Sequence, residues 1–111
     1  MEDLAPILLI CFNRPDHFNR TLFALSQNEL AKKSKLFISI DGPKNKDDEN
    51  AQEFILKSIE KARKNFRIIH VTHNKKNRGL ALNIIDSITN ILKENNKIIV
   101  VEDDLITSKS F

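Results

Sequence analysis

Four short apolar runs, separated by three segments with helical spacing, constrain this chain more than any other feature. The runs are 6–12 (PILLICF), 35–41 (KLFISID), 66–72 (FRIIHVT) and 97–101 (KIIVV), and each reads as a β-strand. Between them Phe18, Leu22 and Leu25, then Phe54, Ile55, Ile59 and Ala62, then Ala81, Ile84, Ile88, Ile91 and Leu92 recur as one face of a helix. Strand and helix alternating in this way require a mostly parallel sheet, because parallel neighbours need a long crossover and a helix supplies it right-handedly. The predicted class is α/β, a three-layer arrangement of a four-stranded, mostly parallel sheet with helices on both faces.

Local punctuation agrees with that alternation. Pro15 stands at a first helical position, and Asp47, Asp48 and Glu49 lead the second helix, where their charges oppose the positive end of its dipole. A length of 111 residues allows one core, so residues 1–111 are read as a single domain. The charge of +3, from 18 basic and 15 acidic residues spread in short runs, argues against a nucleic-acid partner. The densest basic stretch, Lys75-Lys76-Asn77-Arg78, reads first as a solvated loop. No run approaches the roughly 18 apolar residues of a membrane span, and the single Cys11, inside an apolar strand, reads as a buried hydrophobe. One cysteine excludes an internal disulfide, and a reducing cytoplasm suits the chain.

In an open parallel sheet the carboxyl ends of all strands lie on one edge, and ligands bind beyond that edge where the strand order reverses. The residues following each run are therefore the candidates: Asn13-Arg14-Pro15, Asp41-Gly42-Pro43, His73-Asn74 and Glu102-Asp103-Asp104. Arg14, beside a helix start, is positioned to hold a diphosphate together with free helix N–H groups. Asp41 reads either as the anchor of an Asp-Gly-Pro turn or as a contact to a base or ribose. His73, past its strand end, is open to a base, whereas His70 reads as a core or helix-facing residue and His17 as a surface position.

The acidic run is the sharpest signal. At about 5 Å and an effective dielectric near 20, each neighbouring pair of carboxylates repels by roughly 3 kcal/mol, so their gathering at the end of a buried strand calls for a cation. Hard oxygen ligands favour Mg²⁺ or Mn²⁺, which take one or two protein carboxylates and fill their other positions with water and phosphate.

Together, "IIVVEDDL" after "NRGLALNIIDSI", "PILLICFNRP" at the start and "SIDGP" after the second strand resemble the nucleotide-binding, Rossmann-like half of GT-A glycosyltransferases. The likeness is to the N-acetylglucosaminyltransferase I type, whose metal motif is an E-D-D form of D-x-D, and "NRGLALN" is also similar to a run in family 2 glycosyltransferases. The resemblance implies a UDP-sugar or other nucleotide-sugar donor and a Mn²⁺ (or Mg²⁺) cofactor. It implies Asp104 as the direct metal ligand, Asp103 as a ribose contact and Glu102 as a water-mediated or sugar contact. Arg14, with Asn13, then serves the diphosphate, Asp41 the uracil, and His73 or Asn77 the base-contacting loop; Leu82 replaces a basic residue frequent in the family 2 run. It further implies that residues 1–111 are the donor-binding portion of a longer enzyme, with acceptor pocket and general base beyond Phe111 and an apolar surface through which copies associate.

Two alternatives share these letters. One is a nucleotide- or metal-binding module without chemistry. The other is a receiver-like phosphorelay segment, since "KIIVVEDD" is similar to the first strand of receiver domains; that reading leaves "CFNRP" and "SIDGP" without a role.

Overall fold

The computed structural model describes residues 4–102. Strand β1 (Ile7–Cys11) is buried along its whole length, which explains why its sequence is an unbroken apolar run rather than an alternation. It pairs in parallel with β2 (Lys35–Ile40) on one side and with β4 (Ile99–Glu102) on the other, and β3 (Ile68–His73) extends the sheet beyond β2. The order is β3-β2-β1-β4, all parallel. The chain steps outward from β1 to β3 and then returns to the far side of β1, so the order reverses between β1 and β4.

Helices α1 (Pro15–Gln27) and α3 (Lys46–Ala62) cover one face of this sheet, and α4 (Leu80–Leu92) covers part of the other. On the first face Ile7, Leu9, Leu36, Ile38 and Ile40 meet Phe18, Leu22, Leu25, Ile55 and Ile59 in the main core. Truncating a residue such as Phe18, which is fully buried, costs about 3–5 kcal/mol. The second face is thin: Leu8, Ile10 and Ile91 form its buried centre, flanked by Phe37, Ile84, Ile88 and Ile98. The α/β class and both-face helices expected from the sequence are observed.

Several local expectations are corrected. The third strand begins at Ile68 rather than residue 66, because a 3₁₀ turn over Arg63–Asn65 follows α3 and Phe66 ends it by donating to the Arg63 carbonyl. Phe54, assigned to the inner face of α3, is 61% exposed. The buried stripe of α3 is instead Asp48, Gln52, Ile55 and Ile59, so two polar residues take inner positions. His70 is exposed on the thin face, with its ring stacked on Phe37 at 4.8 Å, and so is not a core residue. A short helix α2 (Glu29–Lys33) between α1 and β2 was not foreseen; Asn28 caps it by accepting from the Ala31 N–H at 3.0 Å.

Candidate functional site

The turn after β2 is organised by one carboxylate. Asp41, only 5% exposed, accepts through Oδ1 from the N–H groups of Gly42 (2.8 Å) and Arg78 (3.0 Å) and from Asn74 Nδ2 (3.3 Å). Its Oδ2 accepts from the Gly79 N–H (3.0 Å) and from Asn77 Nδ2 (3.2 Å). Burial works to raise the Asp41 pKa, but the N–H groups of Arg78 and Gly42, the Asn74 amide and the Gly79 N–H outweigh it and hold the carboxyl below its ordinary value. Residues 74–79, which join β3 to α4, are therefore wrapped on the end of β2.

Two glycines make this wrapping possible. A Cβ on Gly42 would lie 2.2 Å from the main-chain carbon of Lys76 and 2.6 Å from the nitrogen of Asn77. Gly79 turns the chain into α4 with φ +89°, a conformation L side chains rarely adopt.

A second polar knot ties the strand ends together from α3. Gln52, 1% exposed, donates through Nε2 to the carbonyls of Phe12 (3.0 Å) and Asp41 (2.7 Å). That leaves Gln52 Oε1 as an acceptor, so His73, whose Nε2 is 2.7 Å away, is the donor and carries its proton on Nε2. Asn13 donates to Asp48 at 2.9 Å, Asp48 accepts from the Lys44 N–H at 3.0 Å, and Asn45 caps α3 through the Asp48 N–H. The Asn13 amide, then the Lys44 N–H, lower the Asp48 pKa against the opposing effect of burial, and the Lys44 charge adds to them.

Above these knots, at the reversal between β1 and β4, lies a cleft of about 310 Å³. Ile10, Cys11 and Phe12 contribute its apolar part, and Arg14, Lys44, Asn77, Asn83 and Glu102 stand among its polar lining. Two helices begin beside it. Arg14 precedes α1 and Gly79 precedes α4, and neither helix has a side-chain cap, whereas Asn28 and Asn45 cap α2 and α3. Among the described residues neither Arg14 nor Lys44 makes a salt bridge; the Lys44 ammonium lies 5.9 Å from the centre of the Phe12 ring. The cleft thus offers two helix N-termini without side-chain caps, the Arg14 guanidinium, which has no partner carboxylate among the described residues, and the Lys44 ammonium, whose charge also acts on Asp48, an environment suited to an anion.

Of the candidate residues, Asn13, Arg14, Asp41, Asn77 and Glu102 all line this cleft. They differ in what they have left to give. Asn13 and Asn77 donate to Asp48 and to Asp41 and the Gly42 carbonyl, and both Asp41 oxygens are already occupied by the loop. Arg14 and Glu102 have no such ties among the described residues. His73 does not line the cleft and faces Gln52 instead. Asp103 and Asp104, the latter expected to hold the metal, lie outside the described residues, among which no group of three or more His, Cys, Asp or Glu side chains is placed to hold a metal ion.

Sequence reasoning missed Gln52, Lys44 and Asn83, and it named Asn74 only as a neighbour of His73. A signal existed for Gln52, since it stands at the i and i+3 spacing with Ile55 where an inner apolar residue belongs. No family model and no curated protein matches the chain. Among the described residues no helix is long and apolar enough to cross a membrane.

Proposed function

We propose that the cleft binds the diphosphate of a nucleotide-sugar and that the chain is the donor-binding portion of a metal-dependent glycosyltransferase. The observation that carries this reading is the pairing of caps with position. The helices starting beside the cleft, α1 and α4, lack side-chain caps, and among the described residues Arg14 lies there without a carboxylate partner, while Lys44, whose charge acts on Asp48, makes no salt bridge. An anionic ligand supplies the acceptors that both helix ends and both cations lack.

In this reading Arg14 and Lys44 hold the phosphates, with the first-turn N–H groups of α1 and α4 as further donors. Asn77 presents the 74–79 loop to the nucleoside. Asp41 acts as a positioning residue that fixes this loop, because its lone pairs are already engaged. Base recognition by Asp41 itself, which the resemblance implies, requires the loop to release one of its oxygens. His73, held by Gln52, positions the strand ends.

The donor chemistry also fits the start of the acidic run, since Glu102 brings a carboxylate to the cleft at the end of β4. Asp104, the residue the resemblance selects, would hold a Mn²⁺ or Mg²⁺ ion, which would supply a Lewis acid to neutralise a leaving diphosphate. Calorimetry with UDP in Mn²⁺ and again in EDTA tests the proposal. Binding that is tight with metal and much weaker after chelation is expected; equal affinity in both, or none, contradicts it.

A further inference from the structure

On the thin face of the sheet, α4 packs Ile84, Ile88 and Ile91 against Leu8 and Ile10 but sets a polar flank beside that apolar stripe. Its flank toward β2 and β3 carries Asn83, Asp86, Ser87, Asn90 and Glu94, while Leu82, Ile85 and Leu92 are exposed. The sheet surface facing that polar flank is itself polar, with Ser39, His70 and Thr72. The two surfaces meet at Ser39 and beside that contact leave a groove of about 380 Å³ whose apolar side is formed by Leu8, Phe37 and Ile91.

Inside the groove the polar groups are joined in a chain that ends in an unused donor. Ser87 Oγ donates to Ser39 Oγ (2.9 Å), which donates to Asn83 Oδ1 (3.1 Å), and Asn74 Nδ2 donates to the same oxygen (2.9 Å). The Asn83 amide cannot be turned round: Asn74 Nδ2 is fixed as a donor by its second bond, to the Asp41 carboxylate, which only accepts. Asn83 Nδ2 is consequently buried, in a residue 3% exposed, with no partner among the described residues. Buried donors of this kind are rare and call for an acceptor.

The chemistry of the lining narrows what that acceptor belongs to. Arg78 is already ion-paired with Asp86, and Glu94 adds a negative charge, so the groove does not favour an anion. Its remaining polar groups are neutral hydroxyls and planar amides, beside an apolar surface that includes the Phe37 ring stacked on His70. Vicinal hydroxyls, each both donor and acceptor, match amides and hydroxyls, while the C–H face of a pyranose packs on an apolar surface.

We infer that this groove is a second ligand site, for a neutral saccharide, with Asn83, Ser87 and Asn90 as hydroxyl partners. The inference does not rest on the nucleotide reading of the first cleft. Titration of the ¹⁵N-labelled 111-residue chain with maltose, cellobiose and chitobiose, followed by amide chemical shifts, tests it, with inorganic phosphate as a charged control. At least one disaccharide is expected to give saturable shifts at Asn74, Asn83, Ser87 and Asn90 and none at Arg14 or Lys44, and phosphate is expected to leave the groove unmoved. Asn90 is exposed and makes no hydrogen bond among the described residues, so Asn90→Ala should keep the parent circular dichroism while weakening the sugar about tenfold. Absence of saturable shifts with all three sugars up to their solubility, shifts confined to the Arg14 cleft, or unchanged affinity in Asn90→Ala would each overturn the inference.

Discussion

The main-chain N–H of Gly79 donates to Asp41 Oδ2 at 3.0 Å, and this bond fastens the first turn of α4 to the end of β2. The cleft at the reversal between β1 and β4 depends on it, because Gly79 and Asp41 each line that cleft. A single carboxylate thus sets where the uncapped N-terminus of α4 points.

Replacing Asp41 by Asn keeps the volume but turns one oxygen into a donor facing donors. Two of the five hydrogen bonds are lost at once, and with charged hydrogen bonds worth about 1.5–3 kcal/mol each, a destabilisation of roughly 3 kcal/mol or more is expected in urea unfolding. The pH dependence has a defined sign. Because the folded pKa of Asp41 lies below its ordinary value of 3.8, its stabilisation is present above that value and is lost as pH falls through the folded pKa. The difference in stability between parent and Asp41→Asn should therefore be full at neutral pH and shrink under acid.

The two glycines should respond differently to the same substitution. Gly79→Ala meets nothing within 4 Å and suffers only backbone strain at φ +89°, about 1–3 kcal/mol. Gly42→Ala drives its methyl into the main chain of Lys76 and Asn77, which cannot move without breaking the bonds to Asp41. Thermal unfolding should rank Gly42→Ala clearly below Gly79→Ala; the reverse order would show that the 74–79 loop does not lie on Gly42.

Gln52→Leu conserves shape but leaves the carbonyls of Phe12 and Asp41 without their donor. With about 1–3 kcal/mol for each buried group left unsatisfied, a loss of about 2–5 kcal/mol is expected. In the parent, the ring nitrogen shifts of His73 should report a proton on Nε2, since the Gln52 amide oxygen can only accept. A proton found on Nδ1 would mean that the knot is arranged otherwise.

The class was legible because β1 is buried along its whole length and so shows an unbroken apolar run, and because Phe18, Leu22 and Leu25 repeat at helical spacing. The edge of the site was legible for the same reason: topology alone brings Arg14, Asp41 and Glu102 together. What Asp41 does there was not legible. Its five partners come from Gly42 and from four residues more than thirty positions away, and no local pattern encodes which carboxylate a loop will wrap. Of the two readings of His70, core or helix-facing, the core reading fails because alternation with apolar neighbours assumes a covered face, whereas His70 lies on the sheet surface toward α4 and stays exposed there. Phe54 was misread because Gln52 and Asp48 displaced the apolar stripe of α3 by satisfying main-chain and side-chain partners inside.

The central claim, that the cleft between β1 and β4 is built for phosphate, is tested most directly by comparing UDP and uridine binding in the parent and in Arg14→Ala. Arg14 is exposed and makes no hydrogen bond or ion pair through its side chain among the described residues, so the variant should fold as the parent does. Calorimetry should show UDP weakened about 10- to 100-fold, the loss of one or two charge-assisted hydrogen bonds, with uridine affinity nearly unchanged. Equal weakening of both ligands, or UDP binding unaffected by the substitution, would contradict the account.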